Sequence, residues 1–178
     1  MSSSQSEFTK VEGLKLIVFD LDYTLWPMYV DTHVDPPFKK DDYGTITDSN
    51  GTVIKCYQDV PSILELLDSI GYKLGVASRT HAPKEGRELI NIFGWDKFFS
   101  YYEIYPGCKT SHFGSFKKSS GLNFDQMMFF DDETRNIRDI SLLGVTSVLV
   151  NNGVDKKVME NGFRKYLESK ENSFVFKH

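Results

Sequence analysis

Five short apolar runs, at residues 14–19, 72–77, 101–105, 127–130 and 145–150, set the tightest limit on how this chain can fold. Between them lie amphipathic segments of helical period, and such alternation is the mark of βα units and a mostly parallel sheet. The segment after Asp59 is typical. Asp59 is placed to cap a helix, Pro61 suits its first turn, and Ile63, Leu66, Leu67 and Ile70 recur on one helical face before Gly71 closes it. Residues 83–93 and 133–143 end in the same way, at Gly94 and Gly144, and a last helix is expected over 155–169. Residues 174–176 read as a short edge strand.

One stretch breaks the rhythm. Residues 26–57 carry no helical period, and Asp48-Ser49-Asn50-Gly51 separates two short β-prone runs, a hairpin signal. The first strand therefore leads into a loop and a β-hairpin flap. An insertion of this size is too small for a lid domain with its own core. A single α/β domain over 11–178 is expected, with a five-stranded, mostly parallel sheet in a three-layer sandwich. Residues 1–10 read as a disordered tail.

Composition narrows the partners. The 178 residues carry a formal net charge of -4, which argues against nucleic acid, a partner that favours a basic surface. No apolar run approaches the ~20 residues of a membrane span. Cys56 and Cys108 form no CxxC pair, so neither a zinc site nor a disulfide framework is implied. Free thiols suit a reducing compartment, so a cytoplasmic location is expected, with entry to the nucleus open to a chain of this size. Monomer is the default.

The chemistry lies where the apolar runs stop. The first ends as LIVFDLDYTL, with Asp20 and Asp22 two residues apart. In open α/β sheets ligands bind beyond the C-terminal ends of the strands. The second ends as GVASRT, placing Ser78 where a hydroxyl can donate to a phosphate oxygen, with Arg79 beside it. YPGCKTSHF follows the third and supplies Lys109, a point charge suited to phosphate. The fourth ends as MMFFDDET, where Asp131 and Asp132 offer the carboxylate oxygens that a hard cation such as Mg²⁺ prefers. Singly, each has a commonplace reading: a loop acid, a turn serine, a surface lysine, a helix cap. Together they form an ordered set, each at a strand end.

That set, acid-x-acid, hydroxyl, lysine and acid pair, resembles the haloacid dehalogenase-type phosphatase superfamily from residue 14 to about 153. FDLDYTLWPMYVDTHVDPPF and FFDDETRNIRDISLLGVT look more closely like the magnesium-dependent phosphatase family, small members without a large cap. The resemblance implies a strand order of 5-4-1-2-3. It also implies a phosphomonoester hydrolase with Asp20 as nucleophile, Asp22 as acid/base, and Lys109 and Ser78 on the phosphoryl oxygens. Thr24 would order the loop or contact water, and Arg79 could reach the phosphate. Mg²⁺ would be held by Asp20, the Asp22 carbonyl and Asp131, with Asp132 in water-mediated contact or as the alternative ligand.

The implied substrate is a phosphorylated protein, phosphotyrosine above all, or a small aryl phosphate. Sugar phosphates such as phosphorylated glycation products, and phosphoryl transfer to an alcohol, are the alternatives. A non-catalytic phosphate-binding module is disfavoured because no motif residue is missing. His33 and Cys108 lie near the motifs, where packing is the expected role of the first and redox sensing is an option for the second. Trp26, Tyr29 and Phe38 suit either an apolar rim for substrate or the packing of the flap.

Overall fold

The computed structural model describes residues 8–175. Five parallel strands form the sheet: β1 (Leu16–Phe19), β5 (Lys73–Ser78), β6 (Phe99–Ile104), β7 (Met127–Asp131) and β8 (Thr146–Leu149). A second sheet holds β2 (Lys39–Lys40), β3 (Ile46–Thr47) and β4 (Val53–Ile54), all antiparallel. The helices are α1 (Val60–Ile70), α2 (Pro83–Ile92), α3 (Lys109–Ser120), α4 (Thr134–Ser141) and α5 (Lys156–Val175). The large sheet runs β6-β5-β1-β7-β8. The three flap strands shift the labels; among the strands of the large sheet alone, this is the 5-4-1-2-3 arrangement met from the opposite edge. β1 is therefore central, with Phe19 level with Val76 on one side and Phe130 on the other.

Both faces of the sheet are covered, which is why its strands are apolar along their length rather than alternating. Ile17, Phe19, Leu74, Val76, Met128 and Phe130 face α1, α5 and the flap, with Leu64, Leu67, Met159 and Tyr166 packed over them. Leu16, Val18, Ala77, Met127 and Phe129 face α3 and α4 through Phe113, Phe116 and Ile140. Each fully buried Val, Leu, Ile, Phe or Met among them contributes roughly 1.5–3 kcal/mol. Close approach decides one residue of α5: a Cβ at Gly162 would stand 2.7 Å from the Phe130 ring, so only glycine lets the helix lie on β7.

Several expectations need correction. Asp59 makes no side-chain cap to α1; its Oδ2 instead accepts the Lys156 N–H at the start of α5, at 3.3 Å. The flap has three strands rather than a two-stranded hairpin. Its outer turn is held by Asp48, which accepts the N–H groups of Asp35, Asn50 and Thr52 at 2.8–3.0 Å. Residues 174 and 175 continue α5 instead of opening an edge strand, and Phe176 lies outside the described residues. Of the expected tail, residues 1–7 also lie outside them. Phe8 is buried and stacks on Phe163 with ring centroids 5.5 Å apart, so the packed core reaches into the segment read as tail.

Candidate active site

The C-terminal ends of four strands converge on one pocket of about 140 Å³, lined by Asp20, Asp22, Tyr29, Asp31, Ser78, Arg79, Thr80, Lys109, Asp132, Glu133 and Asn136. Pairing of β1 with both β5 and β7 brings Asp20, Ser78 and Asp131 to one end of the sheet. Lys109 arrives from the first turn of α3, its side chain 1% exposed, and donates to Asp20 Oδ1 at 2.8 Å and to Asp131 Oδ2. Thr24, fully buried, donates to Asp20 Oδ2 at 3.2 Å. Asp20 is thus gripped at both oxygens while still facing the pocket.

Asp131 and Asp132 differ sharply. Asp131 is fully buried, and Asn136 Nδ2 donates to its Oδ2 at 3.0 Å while the Glu133 N–H donates to Oδ1 at 2.8 Å. With Lys109 also bound, both of its oxygens are committed. Asp132 is only partly buried and lines the pocket directly. One oxygen each from Asp20, Asp131 and Asp132 lies within 4.8 Å of the others. Three acids against one lysine leave an excess of negative charge, and burial pushes the Asp20 carboxyl well up, reinforced by Asp131 and opposed by Lys109. Asp132 is raised in the same way, by burial and then by Asp131. Burial works against the Lys109 ammonium, but the charges of Asp20 and Asp131 outweigh it and hold the amine protonated. Hard oxygens around an uncompensated negative charge fit a divalent cation such as Mg²⁺.

Asp22 belongs to a different environment. Its Oδ1 accepts the Trp26 indole N–H at 2.8 Å and the Val30 N–H at 3.1 Å. Burial raises its pKa to about 6 against the lowering effect of those two donors. The backbone turns sharply just after it, since Tyr23 has φ 55°, the left-handed region that a bulky residue seldom adopts.

The remaining expectations sort themselves by position. Ser78 and Arg79 line the pocket, and Arg79 Nη1 donates to Asn136 Oδ1 at 3.3 Å. His33 stands outside it, its Nδ1 accepting the Tyr29 N–H at 2.9 Å in the turn of the flap. Cys108 is exposed at the start of α3, where the Thr110 hydroxyl and N–H lower its thiol pKa. Trp26 is fully buried against the stacked pair of Phe93 and Trp95, and Phe38 is buried too. Both pack the flap, and only Tyr29 of the three lines the pocket.

Asn136 and His112 carry parts of the site that sequence reading passed over. Lys109, His112, Phe113 and Phe116 are the buried face of α3, a helical i, i+3, i+4, i+7 set disguised because two of its members are charged or polar. The His112 ring is fully buried and stacked on Tyr105. Its Nε2 lies 3.0 Å from the Ser78 carbonyl and 2.9 Å from the Tyr105 carbonyl, the position of a shared donor. It therefore ties the tips of β5 and β6 to the helix that carries Lys109. His112→Ala is expected to cost about 1–3 kcal/mol, since buried carbonyls lose their donor; urea unfolding reads the loss, and an unshifted midpoint would show that these carbonyls need no donor from α3.

A family model described as Acid Phosphatase matches residues 13–169. The chain belongs to this acid phosphatase family. It is 44% identical to human Magnesium-dependent phosphatase 1 over 155 residues, covering 87% of this chain and 88% of the relative. A HAD-like hydrolase superfamily protein of Schizosaccharomyces pombe is also 44% identical, over 76% of this chain and 85% of that one. The fold of this acid phosphatase family member also occurs in distant structures. L-2-haloacid dehalogenase from Xanthobacter autotrophicus superposes with a TM-score of 0.57 at 12% identity, over 83% of this chain and 81% of that one. The 3-deoxy-D-manno-octulosonate 8-phosphate phosphatase of Moraxella catarrhalis gives 0.52 at 17% identity, over 82% and 72%.

Proposed function

We propose that this chain is a Mg²⁺-dependent phosphomonoester hydrolase acting through an aspartyl phosphate on Asp20, with protein phosphotyrosine and small aryl phosphates as its substrate class. The observation that carries the reading is the seating of Asp20, a carboxylate facing a small pocket and held at one oxygen by Lys109 and at the other by Thr24. A carboxylate so fixed needs no base to become a nucleophile, and attack on phosphorus divides one difficult displacement into two easier ones. The Asp20–phosphorus bond forms as the ester oxygen leaves. Lys109 offsets charge on the phosphoryl group, and Ser78 and Arg79 stand where they can donate to its oxygens.

Asp22 handles the proton. With Oδ1 occupied by Trp26 and Val30, Oδ2 carries the proton given to the leaving oxygen and later takes one from the water that hydrolyses the acyl phosphate. Bound by Asp20, Asp132 and the Asp22 main-chain carbonyl, Mg²⁺ would supply the positive charge that lets an anionic nucleophile approach an anionic ester. Asp132 is preferred to Asp131 as the direct ligand because Asp131 is already committed to Lys109, Asn136 and the Glu133 N–H.

The test is hydrolysis of p-nitrophenyl phosphate and of a phosphotyrosine peptide with Mg²⁺ or with chelator, followed by single turnover in H₂¹⁸O. Hydrolysis that needs Mg²⁺, with one ¹⁸O delivered to the phosphate in the first turnover at unlabelled ester bonds and label found on Asp20 after excess turnovers only if water attacks its carbonyl carbon, separates attack at phosphorus from attack at carbon. Metal-independent hydrolysis would overturn the reading. Product transferred to an added alcohol would make the chain a phosphotransferase.

The Asp22 environment also sets a pH dependence. A poor leaving group needs the protonated acid, so kcat for an alkyl phosphate is expected to fall as pH rises through about 6. The fall should be shallower for p-nitrophenyl phosphate, whose leaving group needs little help. Parallel profiles for the two esters would remove Asp22 as the acid.

A further inference from the structure

A second recess, of about 310 Å³, opens beside the phosphate pocket and is lined by Tyr23, Tyr29, Tyr57, Asp132, Val150 and Asn151. Tyr29 and Asp132 line both, so the two cavities share a wall. We propose that this recess seats the leaving group of the ester, and that Tyr23, Tyr29 and Tyr57 select a flat, uncharged ring there. The proposal rests on the phosphatase reading above and assigns the part of the site that reads the substrate.

Three observations support it. The tyrosines come from the catalytic loop and the flap, so the recess is built by the same segment that positions Asp20 and Asp22. The rings of Tyr23 and Tyr29 meet edge to face at 4.8 Å and 73°, which fixes each by the other. The Tyr57 ring lies flat on Gly153, where a Cβ would come within 2.3–2.4 Å of its Cγ, Cδ1 and Cδ2. Gly153 also has φ +73°, so both space and backbone call for glycine there. The loop beneath is fastened to the catalytic loop, since the Tyr57 N–H donates to the Leu25 carbonyl at 3.0 Å and the Val154 N–H to the Thr24 carbonyl at 2.9 Å.

Charge supplies the rest of the selectivity. Asp132 is the one charged residue in the lining, and no lysine or arginine is part of it. A leaving group with a second phosphate or a carboxylate would enter without a counter-charge and face an acid. An aryl alcohol, with a polarisable ring and no charge, matches rings set to meet it by face or edge.

The experiment compares phenyl phosphate with ethyl phosphate, whose leaving group has neither ring nor charge, in the native full chain with Mg²⁺. The ratio of kcat/KM for the two esters cancels any general loss of activity. Tyr57→Leu and Tyr29→Leu are each expected to lower that ratio by about tenfold, the scale of one lost aromatic contact. Gly153→Ala, if it folds, should do the same by displacing Tyr57. Ratios within twofold of native in both tyrosine variants would overturn the proposal. Native protein that hydrolyses neither ester would overturn the phosphatase reading itself, and this assignment with it.

Discussion

Replacing Lys109 with alanine is expected to destabilise the metal-free protein by about 3–5 kcal/mol, the usual result of stripping one partner from a buried ion pair. The Lys109 side chain is 1% exposed, with its amine between Asp20 and Asp131. The loss should depend on pH with a definite sign. Burial already raises Asp20, and without the lysine the folded state keeps on Asp20 a proton that the unfolded chain releases. Stability of the variant therefore falls further as pH rises from the ordinary carboxylate range toward neutrality. Mg²⁺ should return part of it, by about 2.7 kcal/mol at a hundredfold excess over its dissociation constant. Urea unfolding at pH 5 and pH 8, with and without Mg²⁺, measures all three effects. A variant as stable as its parent at pH 8 would show that the ion pair of Lys109 with Asp20 does not hold the fold.

Asp20→Asn is expected to lower kcat for p-nitrophenyl phosphate by about 10⁴-fold or more, as removal of a nucleophile commonly does. The amide keeps the shape of the carboxylate and an oxygen for the Thr24 hydroxyl, which donates to Asp20 Oδ2 at 3.2 Å. It cannot form the acyl phosphate. Far-ultraviolet circular dichroism of the variant should match that of the native chain, which separates lost chemistry from a lost fold. Turnover in the variant at more than a hundredth of the native rate would mean that another group attacks phosphorus.

The sheet was legible because its strands are buried on both faces, and continuous apolar runs such as LIVF and MMFF have few other uses in a chain without membrane-length segments. The catalytic positions were legible for a related reason: Asp20, Ser78 and Asp131 are each the first polar residue after such a run, and Asp22, Lys109 and Asp132 follow within a few residues of a strand end. What escaped was structure whose signal is carried by polar residues. α3 was missed because its inner face is Lys109, His112, Phe113 and Phe116, and a search for apolar spacing discounts half of it. The third flap strand is Lys39–Lys40, both exposed, with nothing in its composition to mark it. Asn136 and Asp31 are pocket residues that no motif spacing requires. Tyr57 is separated from Tyr23 by the whole flap, so only the closed loop brings their rings to one recess.

The place of β1 in the sheet has a consequence for how the protein is made. Among the strands of the large sheet it is made before the others, and its second neighbour, β7, follows only after β5 and β6. Lys109 follows Asp20 by 89 residues, and Asp131 follows Lys109 by another 22. At translation speeds of about 5–20 residues per second, the nucleophile waits about 5–20 s for its full set of partners. Through that interval an apolar strand has at least one open edge, the kind of surface that chaperones shield and that other chains can capture. A stalled or truncated chain that stops short of β7 should therefore be inert toward phosphate esters and prone to aggregate.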